Sequence, residues 1–120
     1  MTDVNGAMRR AVFPQVIGFK KLRFVNGPVS CEETGEALQW HTAAVDHYPK
    51  TFASIRDGWL VENRIGIEDV CIERHPKGGS HMVDEEQLKS WEQFHAAEAV
   101  LRLVTVEVNK TSWINAKGVA

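Results

Sequence analysis

Asp46 and His47 stand side by side near the middle of this 120-residue chain, and no other pair in it suggests a reaction so directly. A neutral imidazole near pH 7 can take a proton from water. A carboxylate oxygen is a hard ligand suited to Mg2+ or Mn2+. A metal ion beside an activated water is what phosphodiester hydrolysis needs, because charge grows on the phosphate and on the leaving oxygen. Neighbours on a regular strand point to opposite faces. Both side chains therefore reach one site only at a strand end or a bulge, and Pro49 ends a strand here. Taken alone, an Asp-His dipeptide is more often a surface carboxylate next to a half-buried histidine.

The surrounding pattern predicts the elements that would hold this pair. Residues 1–15 read as loosely attached. Residues 16–25, with Phe19, Leu22, Phe24 and Val25 between basic side chains, read as a strand. Asn26-Gly27-Pro28 is a turn, and 29–31 resumes extended structure. A second turn with Gly35 at positive φ then leads into a return strand over 38–45, which makes a β-hairpin. Phe52, Ile55, Trp59 and Leu60 fall at helical spacing, so 50–61 is predicted as a helix. Residues 65–73 read as an edge strand and 75–80 as a loop. Asp84 is an N-cap with Gln87 in capping-box position, opening a helix whose stripe holds Leu88, Trp91, His95 and Ala99. The run 101–108 suits helix or strand, and 110–120 reads as a tail in which Trp113 and Ile114 could dock.

Three segments carry a family resemblance. Cys31-Glu32-Glu33-Thr34-Gly35, then Ala44-Val45-Asp46-His47, then Leu-Arg-Leu-Val-Thr-Val-Glu-Val-Asn over 101–109, resemble the two halves of an HNH-type (ββα-metal) nuclease site. In that family a C-x-x-C knuckle precedes a D-H pair, and an L-x-L-L-C-x-x-C-[HN] stretch follows. The resemblance covers roughly 29–48 and 88–110, and the pattern is also similar to HNH-like segments of bacterial DCL-domain proteins. It implies an α+β fold: a ββα-metal core of a β-hairpin packed on a helix, as one domain over 1–120 with an insert at 48–87. It implies metal-dependent phosphodiester hydrolysis of nucleic acid, DNA before RNA, with His47 as general base. Asp46 and Asn109 would hold the divalent metal, Mg2+ or Mn2+. The alternative is a catalytically degenerate HNH-like module that binds nucleic acid or protein. A small α+β interaction domain of other ancestry is a third reading.

The chain departs from the family pattern. Only Cys31 of the four knuckle cysteines is present, and a structural zinc needs four ligands. No structural zinc is expected, its place being taken by packing of Trp40, Phe52, Trp59 and Trp91. The family's middle Asn aligns with Val100. These losses bear on activity more than on fold.

Other candidates are secondary. His95 shares a helix face with Trp91 and reads as a second-shell group or ligand, or more simply as a hydrogen-bonded core histidine. Lys20, Lys21, Arg23, Lys50, Arg102 and Lys110 are the candidate phosphate contacts. Arg102 could instead pair with Glu98, four residues before it. His41 reads as structural, His75 and His81 as solvated, and Cys71 as a buried thiol.

Bulk composition sets the limits. The chain carries 43% apolar and 25% charged residues, a globular composition, with two widely spaced cysteines that read as thiols. No apolar run is long enough for a membrane span, and Met1 to Arg10 has no signal-like apolar region, so a cytoplasmic location is expected. Net charge is −2, yet Arg9, Arg10, Lys20, Lys21 and Arg23 face only Asp3 within the first 30 residues. A polyanion would prefer that segment.

Overall fold

The computed structural model describes residues 2–110, so Trp113, Ile114 and the rest of the expected tail beyond Lys110 lie outside the described residues. The chain forms two compact α+β units: 2–15 with 52–99, and 16–51 with 100–110. The stretch set apart as an insert, 48–87, thus overlaps the first unit's second segment. That segment also takes the helix carrying Trp91 and His95.

The N-terminal expectation is corrected. Helix α1 (Thr2–Val25) replaces both the loosely attached start and the strand over 16–25. Val4, Ala7, Met8, Ala11 and Val12 recur at three- and four-residue spacing, which makes one apolar face. Ala7 and Met8 are fully buried and Val12 nearly so. Pro14 removes one backbone donor just before residue 15, where the first unit's share of the helix ends. Residues 16–25 lack strict alternation, and the contacts they make are helical. Phe19 meets Arg23 four residues on, while Lys20 and Phe24, also four apart, both meet Trp40.

In the first unit this apolar face joins α2 (Phe52–Asn63) and α3 (Glu85–Glu98) in one core. Phe52, Ile55, Trp59 and Leu60 are buried as their spacing predicts. Arg64 adopts a left-handed φ of 56° at the end of α2, and Asn63 Nδ2 donates to the Trp59 carbonyl at 2.8 Å. Asp84 caps α3, its Oδ1 accepting from the Gln87 backbone at 2.9 Å. The Gln87 side chain does not complete a capping box. It donates to the Asp69 carbonyl and accepts from the Cys71 backbone, tying α3 to the preceding loop. That loop is a short 3-10 turn, Ile67–Asp69, where a longer edge strand was expected. It leads into the hairpin β4 (Ile72–Arg74) and β5 (Ser80–Met82). Cys71 is exposed, not buried, although Val70 before it is buried in the core and Ile72 after it packs against the core. His75 and His81 stack with ring centroids 4.5 Å apart.

The second unit opens with the expected hairpin, shortened. β1 (Val29–Ser30) pairs with β2 (Ala37–Leu38), and Gly35 takes φ +81° in the connection. The return strand does not run on to residue 45. A 3-10 turn at Trp40–Thr42 breaks it and leaves His41 exposed. β3 (Ala43–His47) then pairs antiparallel with β6 (Leu101–Thr105) from a distant part of the chain. Residues 106–110 are helical, which resolves the ambiguous run into strand followed by helix. Val29, Cys31, Leu38, Ala43, Leu103 and Val104 form this unit's core. No helix among the described residues is long and apolar enough to cross a membrane.

Trp91 links three elements of the first unit. It is fully buried, stacks edge-on against Phe52 and Trp59, and donates its indole N–H to the Met8 carbonyl at 2.9 Å. Trp91→Ala should cost about 3–5 kcal/mol in urea unfolding followed by the near-ultraviolet tryptophan signal. Trp91→Phe should cost less, and a loss below about 1 kcal/mol for the alanine variant would mean that the N-terminal helix does not pack as described.

Candidate functional site

The β3–β6 ladder brings together the two sequence segments singled out for chemistry. Asp46 lies opposite Arg102 and His47 opposite Leu101. Pairing is regular to the strand end, so Asp46 and His47 point to opposite faces. His47 shares a face with Ala43 and Val45 and is half-buried at the end of the strand. Asp46 is buried beneath Arg102.

Arg102 is the centre of the site. Its Nε donates to Asp46 Oδ2 at 2.9 Å and its Nη1 to Glu33 Oε2 at 2.8 Å. Its guanidinium carbon lies 3.7 Å from the Tyr48 ring centroid. The Arg102 and Asp46 side chains are only 10% and 8% exposed, so neither charge is well solvated and each depends on the other. Burial alone would lower the Arg102 pKa, but the hydrogen bonds and charges of Glu33 and Asp46 outweigh it and hold the group above its ordinary value. The expected pairing with Glu98 is corrected: the partners are Asp46 and Glu33, because 99–101 leave the helix and the i−4 relation is lost.

The other edge of β6 is occupied by the knuckle-like turn. Glu32 N–H donates to the Leu103 carbonyl and Glu32 Oε2 accepts from the Leu103 N–H, both at 3.0 Å. Cys31 Sγ accepts from the backbone N–H groups of Thr34 and Thr105, each at 3.4 Å. Burial alone would raise this thiol's pKa, but hydrogen bonds from Thr34, Thr105 and Glu33 outweigh it and set it lower than usual. Thr34, Thr105 and Val108 are the positions that the resemblance in the sequence would align with the other three cysteines. Thr105 Oγ1 accepts from the Val108 N–H at 3.2 Å, so these positions are linked by hydrogen bonds. The expectation that Trp40, Phe52, Trp59 and Trp91 stand in for a zinc centre is corrected. Trp40 is 43% exposed, and the other three pack in the first unit's core.

The remaining candidates fall as follows. Asn109 lies in the helical stretch 106–110, four residues beyond Thr105, and Thr105 pairs with Ala43 at the far end of the ladder from Asp46. The ladder by itself does not bring Asn109 to Asp46. Among the described residues no group of three or more His, Cys, Asp or Glu side chains could hold a metal ion. Lys20 donates to the Ala43 carbonyl at 3.0 Å and lies 4.3 Å from the Trp40 ring centroid, and burial lowers its pKa. Arg23 pairs with Glu32 at 3.3 Å, whereas Lys21, Lys50 and Lys110 are exposed. His95 is fully buried in the first unit's core against Trp91 and Phe52. Its Nδ1 lies 2.7 Å from Gln15 Oε1, an acceptor, so Nδ1 carries the proton; Gln15 Nε2 in turn donates to the Glu92 carbonyl. This is the core-histidine reading of His95.

Glu33 and Tyr48 were not singled out in advance. Their sequence signal is adjacency: Tyr48 follows the Asp-His pair and Glu33 lies inside the knuckle-like turn. Only the β3–β6 register reveals their shared partner. Comparison of the chain with protein-family models, curated proteins and solved structures gives no match in any of the three.

Two predictions follow from this geometry. Arg102→Met leaves Asp46 buried and unpaired and should cost roughly 3–5 kcal/mol, while the double change with Asp46→Leu should recover most of it in a denaturation cycle. Additive losses would mean that the two charges are not coupled. Burial holds the His95 pKa below its ordinary 6.5, so the unfolded chain binds a proton more readily than the folded one. Stability from this group is complete above that value and falls as pH drops through it toward the folded pKa. His95→Gln should flatten this part of the stability–pH curve, and an unchanged slope would remove His95 as its source.

Proposed function

We propose that the second unit is an HNH-like ββα module that hydrolyses phosphodiester bonds in nucleic acid with a divalent metal ion. The observation supporting this reading is the order of elements. A strand ending in Asp46-His47 is hydrogen-bonded to a distant strand that leads directly into the helical stretch bearing Asn109 and Lys110.

The donor chemistry suits a hard cation, since a carboxylate from Asp46 and an amide oxygen from Asn109 are ligands of the Mg2+ and Mn2+ type. Asp46 already holds a cation, the Arg102 guanidinium. Asp46 and Asn109 are the residues that would hold a divalent ion, while Arg102 also has Glu33 and Tyr48 as partners. When bound, such an ion supplies positive charge for the phosphate and the leaving oxygen. His47, the last residue of the strand, would accept the proton of the attacking water, which requires its ring to swing from the face it shares with Ala43 and Val45 to that of Asp46. Arg102 has a planar fork matched to phosphate oxygens, and Lys50 and Lys110 add positive charge near the ligands in sequence.

A second reading is favoured by the same ion pair. Asp46 Oδ2 is already engaged within a regular ladder, as in a module that retains the fold and binds nucleic acid without cleaving it.

Plasmid nicking with Mg2+, Mn2+, Ni2+ or EDTA separates the two. Hydrolysis should require metal and fall about 10²-fold or more in His47→Ala while circular dichroism is unchanged. Metal-dependent cleavage that survives this substitution would eliminate the mechanism. No cleavage, together with DNA binding that weakens steeply with salt, would establish the non-catalytic module.

A further inference from the structure

A second cluster of charge lies in the first unit. Asn5 and Arg9 are four residues apart on α1, and Phe52 and Arg56 are four apart on α2. Residues at that spacing share a helix face, about 5–6 Å apart. The Arg9 guanidinium carbon lies 4.1 Å from the Phe52 ring centroid, and Arg56 Nη1 donates to Asn5 Oδ1 at 2.6 Å. These two contacts place one guanidinium from each helix along a common seam.

The cluster is short of negative charge. Arg9 has no carboxylate partner among the described residues; its contact is the aromatic face of Phe52. Partial loss of solvent around its charged end first, and the charge of Arg56 second, hold the Arg9 pKa below its ordinary value, although the residue as a whole is exposed. Arg56 is largely buried, with its side chain 13% exposed, and its acidic partner among the described residues is Asp57, at 2.9 Å from Nε and 2.8 Å from Nη2. Asp57 is 61% exposed, so water screens much of its charge. With Nε on Asp57, Nη1 on Asn5 and Nη2 on Asp57, three of the five Arg56 N–H groups are engaged, which leaves one on each terminal nitrogen.

Two guanidinium groups on one seam, each feeling the other's charge and with one exposed carboxylate beside them, repel each other, and an anion bound by both would relieve that repulsion. Their planar forks match the oxygens of a phosphate group, and the Phe52 ring together with Asn5 and Asp57 holds the forks in place before a ligand arrives. We infer that Arg9 and Arg56 form a binding site for a phosphate group. The chemistry is the same for a phosphodiester in a nucleic-acid backbone and for free phosphate. The inference does not depend on the nuclease reading, because it uses no residue of the second unit.

The test is a titration of the full chain, labelled with 15N, followed through the guanidinium and backbone signals. One arm adds inorganic phosphate at constant ionic strength against chloride, and the other adds a short DNA duplex. Saturable shifts of the Arg9 and Arg56 side-chain signals are expected with phosphate. The affinity should fall about tenfold or more in Arg9→Gln and in Arg56→Gln, and be unchanged in Arg64→Gln. Arg9 is exposed, so Arg9→Gln reports on binding even where Arg56→Gln perturbs the fold. Duplex saturating the same signals at lower concentration identifies a nucleic-acid backbone as the source. Response to phosphate alone identifies a free anion. Shifts that do not saturate, or that persist in Arg9→Gln, overturn the site.

Discussion

The buried pairing of Arg102 with Asp46 is the constraint around which the second unit is arranged. Neither group can be taken out of water alone, since an unpaired buried charge costs several kcal/mol. The pair therefore requires β3 and β6 to meet in one register, with Asp46 opposite Arg102. That register places Val45 opposite Leu103 and Ala44 opposite Val104, and Leu103 and Val104 are fully buried. A slip of one residue would put every side chain of the strand on the wrong face. The ion pair is thus tied to the choice of which apolar side chains form the core. Tyr48 and Glu33 complete the shell, the first by offering its ring and the second by accepting from Nη1.

β6 is satisfied along both edges. β3 occupies one, and the turn at 31–35 occupies the other through Glu32 and the Cys31 sulfur. A two-stranded ladder is ordinarily marginal, with exposed donors inviting further pairing. Here the turn supplies acceptors for the N–H groups of Leu103 and Thr105. Cys31 acts as a hydrogen-bond acceptor that joins turn and strand. The lowered pKa of this thiol and the two N–H groups directed at its sulfur have the same origin, since donors aimed at sulfur favour its charged form. The first unit is held differently. Its stability rests on aromatic burial around Trp59 and Trp91, with the His95–Gln15 pair providing the polar link.

What was legible followed from local periodicity and capping. The spacing of Phe52, Ile55, Trp59 and Leu60 marks α2, the Asp84 side chain marks the start of α3, and Gly35 marks the hairpin turn. Residues 16–25 were misleading because β-branched and aromatic side chains carry strand propensity, whereas the decisive contacts, such as Phe19 with Arg23 and Phe24 with Trp40, are made by a helix. Cys71 was misread for a related reason: its apolar neighbours turn inward individually, and a run of them does not bury every member.

By itself the sequence determined the α+β class, helices α2 and α3, and the turn glycine. Those properties depend on neighbours a few positions apart, so local sterics and hydrogen bonding suffice to encode them. Tertiary structure alone decided that Asp46 faces Arg102, that Glu33 and Tyr48 share that partner, that His95 belongs to a core, and that Arg9 meets Phe52 beside Arg56. Each of these joins residues distant in sequence. They are selected by the free energy of burying whole faces and pairing buried charge, which no local pattern carries.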